Sequence, residues 1–260
     1  MKLIKLSSLF SLFILMNLSC STVNAEPADA SWEAGHFYNE FLACTAGPDY
    51  SKEDMDVMIA EFNTLNLSNE ITWIGGYAPI KGKNSNSNGW WEIQWTSQDA
   101  AEAGWQAWMT DKKAQAWDEN YRNILDCDNT AIFGYEGHFH TPESIALKSW
   151  DKFAAAEIAC KFNEGKGRED LKANVEQFIQ WLETNDNGEQ FSFGVYNPVG
   201  EDQADFYWFN WHTDFDSMAR GTANWEENGK AMQAKINATA TCSDPNLYNG
   251  GQFYASDSAE

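Results

Sequence analysis

One run of residues occurs twice. Gly75-Gly76-Tyr77-Ala78-Pro79, the aromatic stretch Trp90 to Trp95, Gly104-Trp105-Gln106-Ala107-Trp108 and Cys127 come first. About 116 residues later they return as Gly194-Val195-Tyr196-Asn197-Pro198, Phe206 to Trp211, Gly221-Thr222-Ala223-Asn224-Trp225 and Cys242. Order and spacing are kept, so the chain is one module written twice, and its fold must hold two similar halves. Matching the runs residue by residue sets Tyr77 with Tyr196, Trp95 with Trp211, Trp108 with Trp225 and Gln94 with Asn210.

Within each copy the hydrophobic period changes in a fixed order. His36 to Thr45 reads as a strand with apolar residues on both faces, Phe37 and Phe41 on one and Tyr38 and Leu42 on the other, hence covered on both sides. Met55, Met58, Ile59, Phe62 and Leu65 follow at helical spacing, opened by Ser51 and Asp54 in a capping-box pattern. Thr72 to Ile80 is a second strand whose Pro79 marks an edge or an end. The polar stretch from Lys81 to Gly89 is a loop, Trp90 to Trp95 a third strand, residues 97–126 a helical region in two pieces, and Ala131 to His140 a fourth strand. The second copy matches with a strand from Phe153 to Cys160 and a helix carrying Leu171, Val175, Phe178 and Leu182. Thr141-Pro142-Glu143 has the N-cap and N1-proline pattern of a short connecting helix.

The first 25 residues are a different kind of segment. Lys2 and Lys5, an apolar run from Leu9 to Leu18 and the small-residue site Val23-Asn24-Ala25 form a secretory signal peptide, too short to span a membrane. The chain is therefore expected to be exported, to a periplasm or outside the cell. Lipidation at Cys20 is the alternative, and Asn17 fits a lipobox poorly. Removing Lys2 and Lys5 and no acid takes the formal charge from −22 to −24. Such a charge repels phosphate backbones and anionic lipid, so neither nucleic acid nor a membrane surface is expected as a partner. The oligomeric state is open.

Four cysteines remain after cleavage. Cys44 to Cys127 spans 83 residues and Cys160 to Cys242 spans 82, so one disulfide per module is the economical pairing in an exported chain. Zinc is disfavoured, because no C-x-x-C pair places two ligands together.

Each module thus reads β-α-β-β-α-β, the ferredoxin-like arrangement with strand order 4-1-3-2, which sets strand one beside strand four and lets each bridge close. The fold class is α+β: two fused modules over 26–140 and 151–260, joined by the helix over 141–150. A ferredoxin-like sheet has helices on one face only, so two copies in one chain are expected to cover each other. The pattern resembles the dimeric α/β-barrel superfamily as a tandem duplication. That resemblance implies a ligand pocket and no particular reaction; its members include cofactor-free monooxygenases, haem proteins of the chlorite-dismutase type, stress-responsive proteins, isomerases and lyases. It also implies a cleft between a module's sheet and its helices. No cofactor is expected from the residues themselves; haem and metal are left open, with His212 the only histidine of module two.

The expected function is capture of a small, partly apolar or aromatic molecule in a module cleft, with cofactor-free oxygenase, isomerase or lyase chemistry as an option. Glu40 and Tyr77 are the candidate catalytic residues, a carboxylate and a phenol within aromatic strands. Trp91, Gln94, Trp95, Tyr196, Asn210 and Trp211 are the candidate ligand-binding residues. Glu157 lies in the matching first strand, one position out of step with Glu40. His36, Glu136 and His138 form a weak metal candidate, with His36 expected opposite Glu136. These residues set module one apart, so the site is expected there, with module two as cover. Two alternatives remain: a carbohydrate-binding protein, signalled by a flat exposed row of tryptophans, and a structural or surface interaction protein, signalled by their complete burial.

Overall fold

The computed structural model describes residues 36–84 and 87–256. The expected signal peptide, Cys20 and the Ser31-Trp32 start of module one lie outside them. Module one runs β1 (His36–Ala46), α1 (Lys52–Phe62), β2 (Ile71–Pro79), β3 (Gly89–Trp95), α2 (Gln98–Thr110), α3 (Lys112–Tyr121) and β4 (Leu125–Phe139). Module two runs β5 (Phe153–Phe162), α4 (Arg168–Thr184), β6 (Phe191–Pro198), β7 (Phe206–His212), α5 (Phe215–Asn228), α6 (Lys230–Thr239), β8 (Ala240–Cys242) and β9 (Asn246–Ala255). Ser51 caps α1 by accepting the Asp54 N–H, as the capping pattern requires. The helical region breaks in two at Asp111, whose side chain caps α3. Residues 141–150 form turns and no helix, a correction to the expected connector.

Strand order within module one is β4-β1-β3-β2, and β9-β5-β7-β6 repeats it in module two. The modules also join edge to edge. β2 pairs with β9 and β4 with β6, both antiparallel, so eight strands close into a barrel and β8 extends beside β5. Pro79 ends β2 without leaving it a free edge, since β9 covers it. The two junctions match: Tyr77 lies opposite Gly250 and Tyr196 opposite Gly137. Both glycines are needed for close approach, because a Cβ on Gly137 would stand 2.3 Å from the Phe37 ring and one on Gly250 2.0 Å from Phe153.

The disulfides are Cys44–Cys127 and Cys160–Cys242, each between residues directly opposed on neighbouring strands. β4 begins earlier than expected, and an irregularity between Leu42 and Cys44 shifts its register on β1. That shift sets His36 opposite His138 and Tyr38 opposite Glu136, where the sequence spacing had His36 opposite Glu136. In module two the same strand is split, with Pro245, which has no N–H to donate, between β8 and β9.

Strand alternation sorts the side chains into three cores. Phe37, Phe41, Tyr77, Tyr196, Phe209 and Trp211 belong to the barrel interior. Tyr38, Leu42, Trp91 and Trp95 pack under α1 to α3, and Phe206 and Trp208 under α4 to α6.

Candidate functional site

Register decides which residues of the two modules correspond. Tyr38 pairs with Trp95 in module one, and Ala154 with His212 in module two. Tyr77 pairs with Trp90, and Tyr196 with Tyr207. Trp95 therefore corresponds to His212, Gln94 to Trp211, Ile93 to Asn210 and Glu92 to Phe209. The equivalence of Tyr77 and Tyr196 holds; those of Trp95 with Trp211 and Gln94 with Asn210 are off by one residue. A one-residue slip turns a side chain to the opposite face, so Trp95 lies under the helices and Trp211 in the barrel. Gly104 and Gly221 bear this out: a Cβ on the first would meet Trp95 at 2.4 Å and on the second His212 at 2.9 Å.

The barrel interior holds a group that the sequence reading passed over. Glu92 is 0% exposed. Its Oε2 accepts the Tyr77 hydroxyl at 2.5 Å, and its Oε1 accepts the Tyr196 hydroxyl at 3.0 Å, Asn39 Nδ2 at 2.8 Å and Gln94 Nε2 at 3.3 Å. Trp211 Nε1 donates to the Tyr77 oxygen at 3.3 Å. Burial pushes the Glu92 carboxyl up to about 7, against the pull of those donors, and pushes both tyrosines well above their ordinary value. Four donors make this a satisfied buried carboxylate that ties the modules together where they meet. It is closed off from solvent on all sides. The available signal was a lone acid inside a run of aromatic strand residues.

Tyr77 and Glu40, the two expected catalytic residues, thus face opposite sides of the sheet and do not form one site. Glu40 lies on the helix side, where its Oε2 accepts Trp95 Nε1 at 2.9 Å and Trp105 Nε1 at 2.6 Å. Burial raises its pKa against those two bonds. Above it lies the expected cleft of module one, a cavity of about 330 Å³ between the sheet and α1 to α3, walled by Trp91, Trp95, Trp105, Trp108 and Trp117. Trp91 also packs on Phe253 at 4.8 Å and on Phe62 at 5.4 Å. His36 Nε2 bonds Glu136 Oε2, and the His36 and His138 rings are 5.0 Å apart, so the expected trio does come together. Among the described residues, however, no group of three or more His, Cys, Asp or Glu is placed to hold a metal. Register sets Asn249 and Gly251 at the module-two positions of Glu136 and His138.

The corresponding cleft of module two is a cavity of about 410 Å³ lined by Phe178, Trp181, Trp208, Trp225, Asn210 and His212. Asn210 Oδ1 accepts Trp208 Nε1 at 2.9 Å. His212 is 6% exposed, and its Nδ1 has no hydrogen-bond partner among the described residues. Burial pulls the imidazole down to about 4, so the ring is neutral at neutral pH. This lining does not fit haem. The carboxylates of a porphyrin need cations, and no Lys or Arg lines the cleft, whereas Asp186 and Glu189 do. The neighbouring Arg220 is held by Glu189, Nε to Oε1 at 2.5 Å.

No family model matches the chain, and no curated protein does either. Solved structures match its fold. Chlorite dismutase from Candidatus Nitrospira defluvii in complex with imidazole is 14% identical, with a TM-score of 0.51 over 83% of this chain and 90% of that one. A candidate monooxygenase from Lactobacillus acidophilus NCFM is 9% identical, with a TM-score of 0.50 over 85% and 97%. The fold is a dimeric α/β barrel, with two ferredoxin-like modules in one chain.

Proposed function

We propose that this is an exported protein that captures a small, partly aromatic molecule bearing a hydroxyl or similar polar group, and that the site is the module-two cleft. The observation that carries the reading is His212 Nδ1, buried and without a partner on the wall of an aromatic cavity. A buried ring nitrogen left unbonded costs free energy, and a ligand hydroxyl would recover it. Module one offers no such group, because among the described residues lining its cleft no buried side-chain nitrogen or oxygen lacks a hydrogen bond. The volume of about 410 Å³ suits a one- or two-ring molecule. Fold neighbours named as a chlorite dismutase and a monooxygenase agree with a small-molecule site in this kind of barrel.

Capture is favoured over proton-transfer chemistry by magnitude. A general base works best with a pKa near the operating pH, and His212 stands at about 4. The carbohydrate alternative has no support, since none of the described tryptophans is exposed. Calorimetric titration with 2-naphthol and with naphthalene tests the proposal. The naphthol should bind about tenfold more tightly, and His212→Phe should abolish that preference while leaving the fold intact. An unchanged preference in the variant, or no binding of either probe, overturns it.

A further inference from the structure

The barrel itself opens at both ends, and the two mouths differ in charge. One is a cavity of about 350 Å³ whose lining, with Trp73, Tyr77, Gln94, Trp150 and Trp211, includes no charged residue. The other is a chamber of about 1190 Å³ walled by Phe41, Trp90, Tyr135, Tyr207 and Phe209, with the carboxylates of Glu157 and Asp202 among them. Tyr77 lines the first and Tyr196 the second, and both donate to Glu92.

Within the chamber the polar groups are not equally committed. Asp202 is fully used: Oδ1 accepts Tyr207 OH at 2.7 Å and the Ala204 N–H at 3.0 Å, and Oδ2 accepts Tyr135 OH at 3.3 Å. Glu157 is bound through one oxygen only. Its Oε2 accepts Tyr248 OH at 3.1 Å and Asn246 Nδ2 at 3.2 Å, and Trp90 Nε1 donates to the Tyr248 oxygen at 3.2 Å. Among the described residues Oε1 receives no hydrogen bond. Lys83 and Lys161 also line the chamber, and neither makes an ion pair with a described residue. Register adds a point: Glu157 stands in module two where module one has Phe41, and both line this chamber. The duplication has set an aromatic wall facing a carboxylate wall.

We propose that the chamber is a second binding site, for a small organic cation of the alkylammonium class. Aromatic faces attract such a cation electrostatically, most strongly where water is displaced, and Glu157 Oε1 supplies the countercharge. A neutral sugar would gain nothing from the charge of Glu157, and a phosphate would meet a lining with four acids, Glu157, Glu201, Asp202 and Asp244, against two lysines. Burial raises the pKa of the Glu157 carboxyl, so cation binding should tighten as pH rises and the carboxyl ionises.

Choline and its neutral isostere 3,3-dimethyl-1-butanol, titrated by calorimetry into the full chain, decide the matter. Choline should bind at least tenfold more tightly than the alcohol. Glu157→Gln should remove that difference, with thermal unfolding checked to show that Tyr248 and Asn246 still hold the side chain. Lys161→Gln, a rim change with no folding consequence, should raise choline affinity about two- to fivefold at low salt and less at high salt. His212→Phe should leave choline binding unchanged, which keeps this site separate from the cleft of module two. Equal binding of choline and the alcohol, a choline preference that survives Glu157→Gln, or no choline binding at millimolar concentration overturns the proposal.

Discussion

The two sheet–helix clefts share a frame and differ in the residue at one strand end. Module one has Trp95 there, under Gly104, with its N–H on Glu40. Module two has His212 under Gly221, and Ala156 stands where Glu40 would be. One cleft therefore satisfies its own buried polar groups, and the other leaves a ring nitrogen open. The lesson is that duplicated scaffolds diverge through single positions whose register faces a cavity. In the barrel the same divergence sets Glu92 against Phe209 and Phe41 against Glu157.

The comparison can be broken most directly at the disulfides, which should count equally. They close loops of 83 and 82 residues, so replacing Cys44 and Cys127 by Ala should cost about 4 kcal/mol in urea unfolding, and replacing Cys160 and Cys242 the same. A loss confined to one pair would show that the modules are not energetic equivalents.

Glu92 should behave unlike its counterpart Phe209, because it titrates. The folded carboxyl stands at about 7 against an ordinary 4.5, so the folded chain holds the proton more tightly than the unfolded one. Its stabilising contribution is full below about pH 4.5 and is lost as pH rises through 7, by about 1–3 kcal/mol. Glu40 and Glu157 shift in the same direction, so the informative quantity is the difference between wild type and Glu92→Gln across pH 4.5 to 8. Parallel stability curves for the two proteins would rule the assignment out.

The smallest effect sharpens the register. Gly104→Ala puts a methyl 2.4 Å from the Trp95 ring, which is buried and tied to Glu40. It should cost about 1–2 kcal/mol net, overpacking outweighing the gain in helix propensity. Gly221→Ala meets His212 at 2.9 Å, where no hydrogen bond holds Nδ1, and should be near neutral in thermal unfolding. Equal costs would mean that the His212 ring is as firmly fixed as Trp95.

Much of the fold was readable because it rests on local signals. Leu171, Val175, Phe178 and Leu182 are all buried on α4, and the helical region expected in two pieces breaks at Asp111. The cysteines pair as the repeat required, since equal spacing in two copies leaves one simple solution. The candidate site was less readable. Trp91 and Trp95 were expected in a cleft and line one; Tyr77, Tyr196, Gln94 and Trp211 were expected with them and face the barrel instead.

By itself the sequence determined the duplication, the order of elements, the disulfide partners and the covered character of each sheet. These follow from residue type and spacing along the chain. Which face each aromatic strand residue takes was decided only in the tertiary structure. One inserted residue reverses every side chain of a strand with period two, and the insertion between the Tyr77 and Trp95 runs cannot be located without the partner strand. The meeting of Tyr77 and Tyr196 on Glu92, 104 residues from the second of them, likewise exists only because β2 pairs with β9 and β4 with β6. Closing the barrel brings the matched faces of both modules onto one carboxylate, and no local pattern encodes that closure.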